Sequence, residues 1–215
     1  GRVIKAAYFA AEKHKTQRRK DVEETPYINH PLSLANVLAV ECEIDDVEVI
    51  CGALLHDTIE DTETTKAELV AAFGENITRI VFEVTDDKDL DKIERKEAQV
   101  AHAPHISDQA KLVKLADKIS NLRDISASPP FDWSVERKQE YFDWAARVID
   151  GLRGVHPKLE ALFDEVYSKR PSAEPHSEPE SMTPEQRKAK QAEFRRMALK
   201  GIREMGPETL ANKRS

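Results

Sequence analysis

Two cysteines, seven glycines and 6% aromatic residues are a small allowance for a chain of 215 residues. Cys42 and Cys51 stand among apolar neighbours and make no disulfide framework, so buried reduced thiols and a cytoplasmic protein are expected. No apolar run approaches the roughly 20 residues that cross a bilayer, and no signal-peptide pattern is present, which excludes a membrane partner from the reading. Basic charge is also short, with 33 Lys and Arg against 40 Asp and Glu and a net charge of −7. That balance argues against nucleic acid as a partner, because sequence-independent binding needs cations to neutralise phosphates. It leaves room for a small anionic substrate held by a local basic cluster. Internal repeats and strand-like alternation are missing too, so the expectation is an all-α protein.

What the chain does have is 40% hydrophobic residues, enough to build a core. Residues 1–170 read as one helical domain of roughly eight to ten helices, from apolar residues at helical spacing. Residues 171–183 form a Pro/Ser/Glu linker with little to bury. Residues 184–215 read as a charged helix and tail with a narrow stripe of Phe194, Met197, Ala198 and Ile202. That helix is either loosely attached or the docking site of a protein partner.

Within the domain, a first helix over 3–15 runs into a cationic knot, His14-Lys15-Thr16-Gln17-Arg18-Arg19-Lys20. The knot is either a solvated helix end or a phosphate-binding loop. Pro31 suits a first helical turn, which sets His30 at the entrance of a helix whose buried stripe is expected at Leu32, Ala35, Leu38 and Ala39. Asp45 and Asp46 are N-cap candidates for the apolar run that ends in His56-Asp57, with Glu60-Asp61 following. If that helix continues, His56 lies over Glu60 and Asp57 over Asp61. Four ionisable groups at the end of a buried segment repel or desolvate one another unless a cation or solvent relieves them.

Thr65 and Glu68 form a capping box for the next helix, which Gly74 closes. Short helices are expected over 77–84 and 93–103, the latter stopped by Pro104. Over 107–125 a core stripe of Leu112, Leu115, Ala116, Ile119 and Leu122 runs beside the line Val113, Asp117 and Asn121. Asp117 therefore flanks a buried face, where it is either paired, as with Lys118, or a ligand. Trp133-Ser134 leads a helix with Tyr141, Phe142 and Trp144, and a last helix spans 157–167. The remaining histidines have ordinary readings: His14 a solvated helix end, with contact to the nucleotide as the alternative, His102 and His105 surface residues split by Pro104, His156 and His176 turn and linker residues.

His30, His56, Asp57 and Asp117 are thus candidate ligands from three helical segments. Two imidazoles and two carboxylates accept Mn²⁺, Fe²⁺ or Zn²⁺ and leave positions open for water, which suits hydrolysis.

Tyr27-Ile-Asn-His30-Pro, His56-Asp57-x-x-Glu60-Asp61 and Leu115-Ala-Asp117-Lys-x-x-Asn121 resemble the signatures of the HD-domain (p)ppGpp hydrolases of the RelA/SpoT superfamily. The resemblance extends through Gln17-x-Arg19-Lys20, Glu83-Val-Thr-Asp-Asp-Lys88 and Glu140-Tyr-Phe-x-Trp144, and is strongest to the stand-alone animal branch of small alarmone hydrolases. It implies an all-α HD fold and one Mn²⁺ ion held by His30, His56, Asp57 and Asp117. Glu60 and Asp61 would activate and orient the attacking water, and ppGpp would yield GDP and pyrophosphate. Arg19 and Lys20 match the basic pair at the nucleotide, Asn121 would bond the ribose, and Lys92, Arg137 and Tyr141 would form the far wall. NADPH, giving NADH and phosphate, is the alternative substrate. A catalytically weak nucleotide sensor and a purely structural helical protein are the readings outside that class.

Overall fold

A computed structural model describes residues 1–172 apart from Val22 and Phe131. The expected linker and C-terminal helix lie outside the described residues. The described chain is all α, without strands, and its one β feature is an isolated bridge between Arg18 and Pro26.

The helix that organises the rest is α3, Val47–Leu55. Asp46 caps it, accepting from the backbone N–H groups of Glu48 and Val49, and it buries seven consecutive residues, Val49 to Leu55. A helix apolar on every side has to be central, and α3 packs against α1 (Arg2–Lys13), α2 (Asn29–Asn36), α6 (Glu75–Val84) and α8 (Asp108–Ala127). On one side Ile50, Leu54 and Leu55 join Ala6, Leu69, Phe73 and Ile77. On the other, Val49 and Ala53 join Leu34, Val113, Ile119 and Phe142. Each such leucine or isoleucine contributes about 1.5–3 kcal/mol by leaving water. Gly52 permits the α3–α6 approach: a Cβ there would sit 2.6 Å from Ile80 Cγ2.

The helix ends follow local chemistry. Thr65 caps α5 (Lys66–Phe73) and Gly74 ends it at φ 86°. Ser107 caps α8, Ser134 caps α9 (Val135–Asp150), and Asp91 forms a capping box with Glu94 at α7 (Lys92–His102). His156 is more than a turn residue, since its Nδ1 accepts from Leu159 N–H to cap α10 (Pro157–Tyr167).

Three expectations need correction. The first helix stops at Lys13, and His14 is buried rather than solvated, with 2% of its surface exposed. Of the stripe expected from α2 onward, Leu38 is buried and Ala35 and Ala39 pack against the core, but Leu32 is 45% exposed and its place is taken by His30, Leu34 and Val37. A π turn over Val37–Glu41 follows α2, with Val37 and Leu38 both buried. Finally, α3 does not continue into Glu60-Asp61. It breaks at His56-Asp57, where Asp57 adopts φ −96°, ψ −1°, and a single turn, α4 (Thr58–Asp61), restarts the chain.

Candidate metal and nucleotide site

The break after α3 decides where the two ionisable pairs point. His56 closes α3 and its Nδ1 donates to the Ala53 carbonyl at 2.8 Å, because a carbonyl only accepts. The ring's other nitrogen, Nε2, is buried and lies 2.8 Å from Asp57 Oδ2. His30, from the first turn of α2, brings its Nε2 to 3.2 Å from Asp117 Oδ1 and 3.9 Å from Asp57 Oδ2. Asp117 comes from the middle of α8. Ligating atoms of His30, His56 and Asp117 lie within 4.8 Å of one another, and Asp57 is between the two rings.

The electrostatics describe a place that calls for positive charge. Burial is the largest influence on His56 and pushes its pKa down, yet the charge and hydrogen bond of Asp57, with the Asp117 charge and the Ala53 carbonyl, together outweigh it and lift the value to about 9. Burial pushes Asp57 up, but His56 and then His30 hold it below the usual carboxylate range. Asp117 is likewise held low against burial, first by Lys118 and then by His30. At His30 burial dominates and lowers the pKa, which favours the neutral ring that a metal needs. The fixed Nδ1 of His56, its buried Nε2 directed at Asp57 and two ionised carboxylates fit a divalent cation.

Neighbouring side chains hold these ligands. The Tyr27 hydroxyl donates to Asp57 Oδ2, and burial, then the Asp57 charge, keep that hydroxyl protonated. Asn121 Nδ2 donates to Asp117 Oδ1 at 2.6 Å, and Lys118 Nζ to Oδ2 at 3.0 Å. Lys118 also lies 4.4 Å from the Trp144 ring centre, which seats its buried charge on an aromatic face.

Glu60 and Asp61, on α4, face the same cavity of about 230 Å³. Burial, then the charges of Asp86 and Asp57, raise the Glu60 pKa to about 7. Asp61 Oδ1 accepts from Lys88 Nζ at 2.9 Å. An adjoining cavity of about 480 Å³ is lined by Arg19, Lys20, Tyr27, Asn121, Trp133 and Tyr141 among others. Arg19 pairs with Asp124 at 2.5 Å, reaches Asn121 Oδ1 at 3.4 Å and lies 5.7 Å over the Tyr27 ring. Tyr141 lines both cavities and burial raises its pKa to about 12.

Two sequence candidates are placed elsewhere. Lys92 is exposed in the first turn of α7, and Arg137 pairs with Asp132 at 3.7 Å over Trp133, so neither belongs to the lining of these cavities. The position facing Tyr141 is taken by Lys96, one turn after Lys92 and 5.7 Å from the Tyr141 ring centre. The sequence reading overlooked Asp124, although it lies one turn beyond Asn121 on the same helix face. It also assigned nothing to Tyr27 as a donor to Asp57, which local pattern could not show.

Comparison with known proteins places the chain in a family. The HD domain pattern matches residues 6–143. The guanosine-3′,5′-bis(diphosphate) 3′-pyrophosphohydrolase MESH1 of Danio rerio is 55% identical over 168 residues, 78% of this chain and 93% of that relative. The protein of the same name from Homo sapiens is 54% identical over 168 residues, covering 78% and 94%. The solved structure of a metazoan ortholog of SpoT that hydrolyzes ppGpp superposes with a TM-score of 0.76 at 45% identity, covering 79% of this chain and 96% of that one. The chain belongs to the HD-domain family and, within it, to the group of relatives that share the MESH1 name.

Proposed function

We propose that this protein is a Mn²⁺-dependent hydrolase that removes pyrophosphate from the 3′ position of ppGpp, leaving GDP. The observation that carries the reading is the meeting of His30, His56 and Asp117, with Asp57 2.8 Å from His56 and 3.9 Å from His30, beside a carboxylate, Glu60, whose pKa is about 7. Relatives that share 54–55% of their residues with this chain are named for that activity.

The four ligands would hold one Mn²⁺ ion. When bound, such an ion makes hydroxide available from water near neutral pH and offsets phosphate charge. Glu60 takes the proton from the attacking water as its oxygen bonds to the phosphorus attached to the ribose 3′ oxygen. The bond from phosphorus to the 3′ oxygen breaks, and that oxygen takes up a proton. A base with a pKa close to working pH contributes roughly 10²–10⁴-fold. Asp61 orients the water. Arg19 offers a planar cation to the purine and Lys20 a point charge to phosphate, while Asn121 bonds the ribose and Tyr141 closes the wall. Buried free thiols at Cys42 and Cys51 support a cytoplasmic setting.

The test is metal analysis of the purified full chain with product identification after adding Mn²⁺ and ppGpp. GDP and pyrophosphate in a chelator-sensitive reaction are expected; binding without turnover would replace the enzyme with a sensor. Parallel kcat/KM values for ppGpp and NADPH decide the substrate, with ppGpp expected to be higher.

A further inference from the structure

His14 and Gln17 occupy the loop between α1 and α2, and neither has a part in the chemistry above. His14 is buried at the end of α1 and packs on the Tyr27 ring, centroids 4.8 Å apart. Its Nδ1 lies 2.6 Å from Gln17 Oε1. An amide oxygen only accepts, so Nδ1 is the donor. That contact settles which way the amide faces: Gln17 Nε2 points to Asp61 Oδ2 at 3.0 Å.

The Gln17 backbone is ordered as well. Its N–H donates to the His14 carbonyl at 2.9 Å and its carbonyl accepts from Tyr27 N–H at 3.1 Å. Asp61 is thus gripped at both oxygens, by Gln17 at Oδ2 and by Lys88 at Oδ1. The grips are unequal. The Lys88 side chain is 50% exposed, so its ion pair is screened by water and salt. The Gln17 bond is exposed as well, but Gln17 is backed by His14, which is buried and packed on the Tyr27 ring. The same tyrosine donates to Asp57, so one aromatic pair braces a candidate metal ligand and a candidate water-orienting carboxylate together.

We propose that His14 and Gln17 are positioning residues that set the plane of the Asp61 carboxylate so that it meets the attacking water. The proposal rests on the reading of Asp61 as the water-orienting group. Holding a group at both ends removes the rotation that otherwise spoils a reactive geometry.

The test is a double-mutant cycle in the full chain at saturating Mn²⁺. Gln17→Met keeps the side chain's length and removes its hydrogen bonds. It is expected to lower kcat for ppGpp about tenfold, the cost of one hydrogen bond to a charged group, with KM and bound metal unchanged. In an Asp61→Asn background the same change should have no further effect, because the partner's role is already gone. Gln17→Glu, polar and of equal length, should lower kcat at least as much through repulsion from Asp61, and it stands in if Gln17→Met does not fold. His14→Phe keeps the stack on Tyr27, loses the donor and should reproduce part of the loss. An equal loss in both backgrounds, or a loss confined to KM, overturns the positioning role. Wild-type kcat in Asp61→Asn alone is a different failure, since it removes the role of Asp61 from which the proposal starts.

Discussion

The backbone N–H of Asp86 donates to Glu60 Oε2 at 3.2 Å, tying the single turn of α4 to the segment that follows α6. The bond holds Glu60 beside Asp86, whose charge, together with burial, raises the Glu60 pKa to about 7. Only the ionised carboxylate can accept a proton, so kcat/KM should climb with pH through about 7 and then level. Glu60→Gln should keep its metal, lose about 10²-fold or more in kcat and lose that pH limb. Retained wild-type turnover in Glu60→Gln would take the base role away.

The same shift has a signature in stability. The folded pKa of Glu60, about 7, exceeds its ordinary 4.5, so the native state binds more protons between those values. Its stabilising contribution is present below 4.5 and is lost as pH rises through about 7. Metal-free Glu60→Gln should therefore melt above the metal-free parent at pH 8, with the gap narrowing as pH falls to 4.5. A gap that is equal at both values would show that Glu60 titrates normally.

Asp57 sits between the rings of His30 and His56 and accepts from Tyr27. Asp57→Ala should weaken Mn²⁺ binding at least about tenfold, read by titration calorimetry or elemental analysis. It should also lower the pKa of His56, because Asp57 is the charge that raises it. Full metal content in this variant would remove Asp57 from the ligand set.

Arg19 is held by Asp124 at 2.5 Å and lies over Tyr27. Arg19→Ala should raise the Kd for ppGpp about tenfold while leaving metal content alone. Asp124→Asn should act in the same direction but more weakly, since it loosens the guanidinium without removing it. An unchanged Kd in Arg19→Ala would place the nucleotide elsewhere.

Gly52 faces Ile80 on α6, one turn before His56. Gly52→Ala puts a methyl 2.6 Å from Ile80 Cγ2 and 3.6 Å from Val113 Cγ2, both on buried side chains. Overpacking of this kind costs about 1–3 kcal/mol, so Tm should fall by about 2–10 °C. A higher Tm, as helix propensity alone would give, would show that α6 can move aside.

The all-α class, the order of helices and most helix ends were legible in the sequence, because they depend on spacing and on residues a few positions apart. Asp46, Thr65, Ser107 and Ser134 cap the helices that follow them through bonds closed within three residues. The core stripe of α8 was legible for the same reason, as the 3.6-residue repeat is a local property. The four candidate ligands stood out chemically, as polar residues bordering apolar runs.

Tertiary structure decided what a repeat cannot encode. The break at His56-Asp57 changed which side chains face one another, so the regular helical phase misplaced the stacking of His56 over Glu60. It also put Lys96, rather than Lys92, against Tyr141, and buried His14 against Tyr27. Those outcomes come from contacts between residues far apart in the chain, such as Arg19 with Asp124 or Glu60 with Asp86. Local spacing carries no information about such pairs, and they exist only once α3 has gathered its neighbours around it.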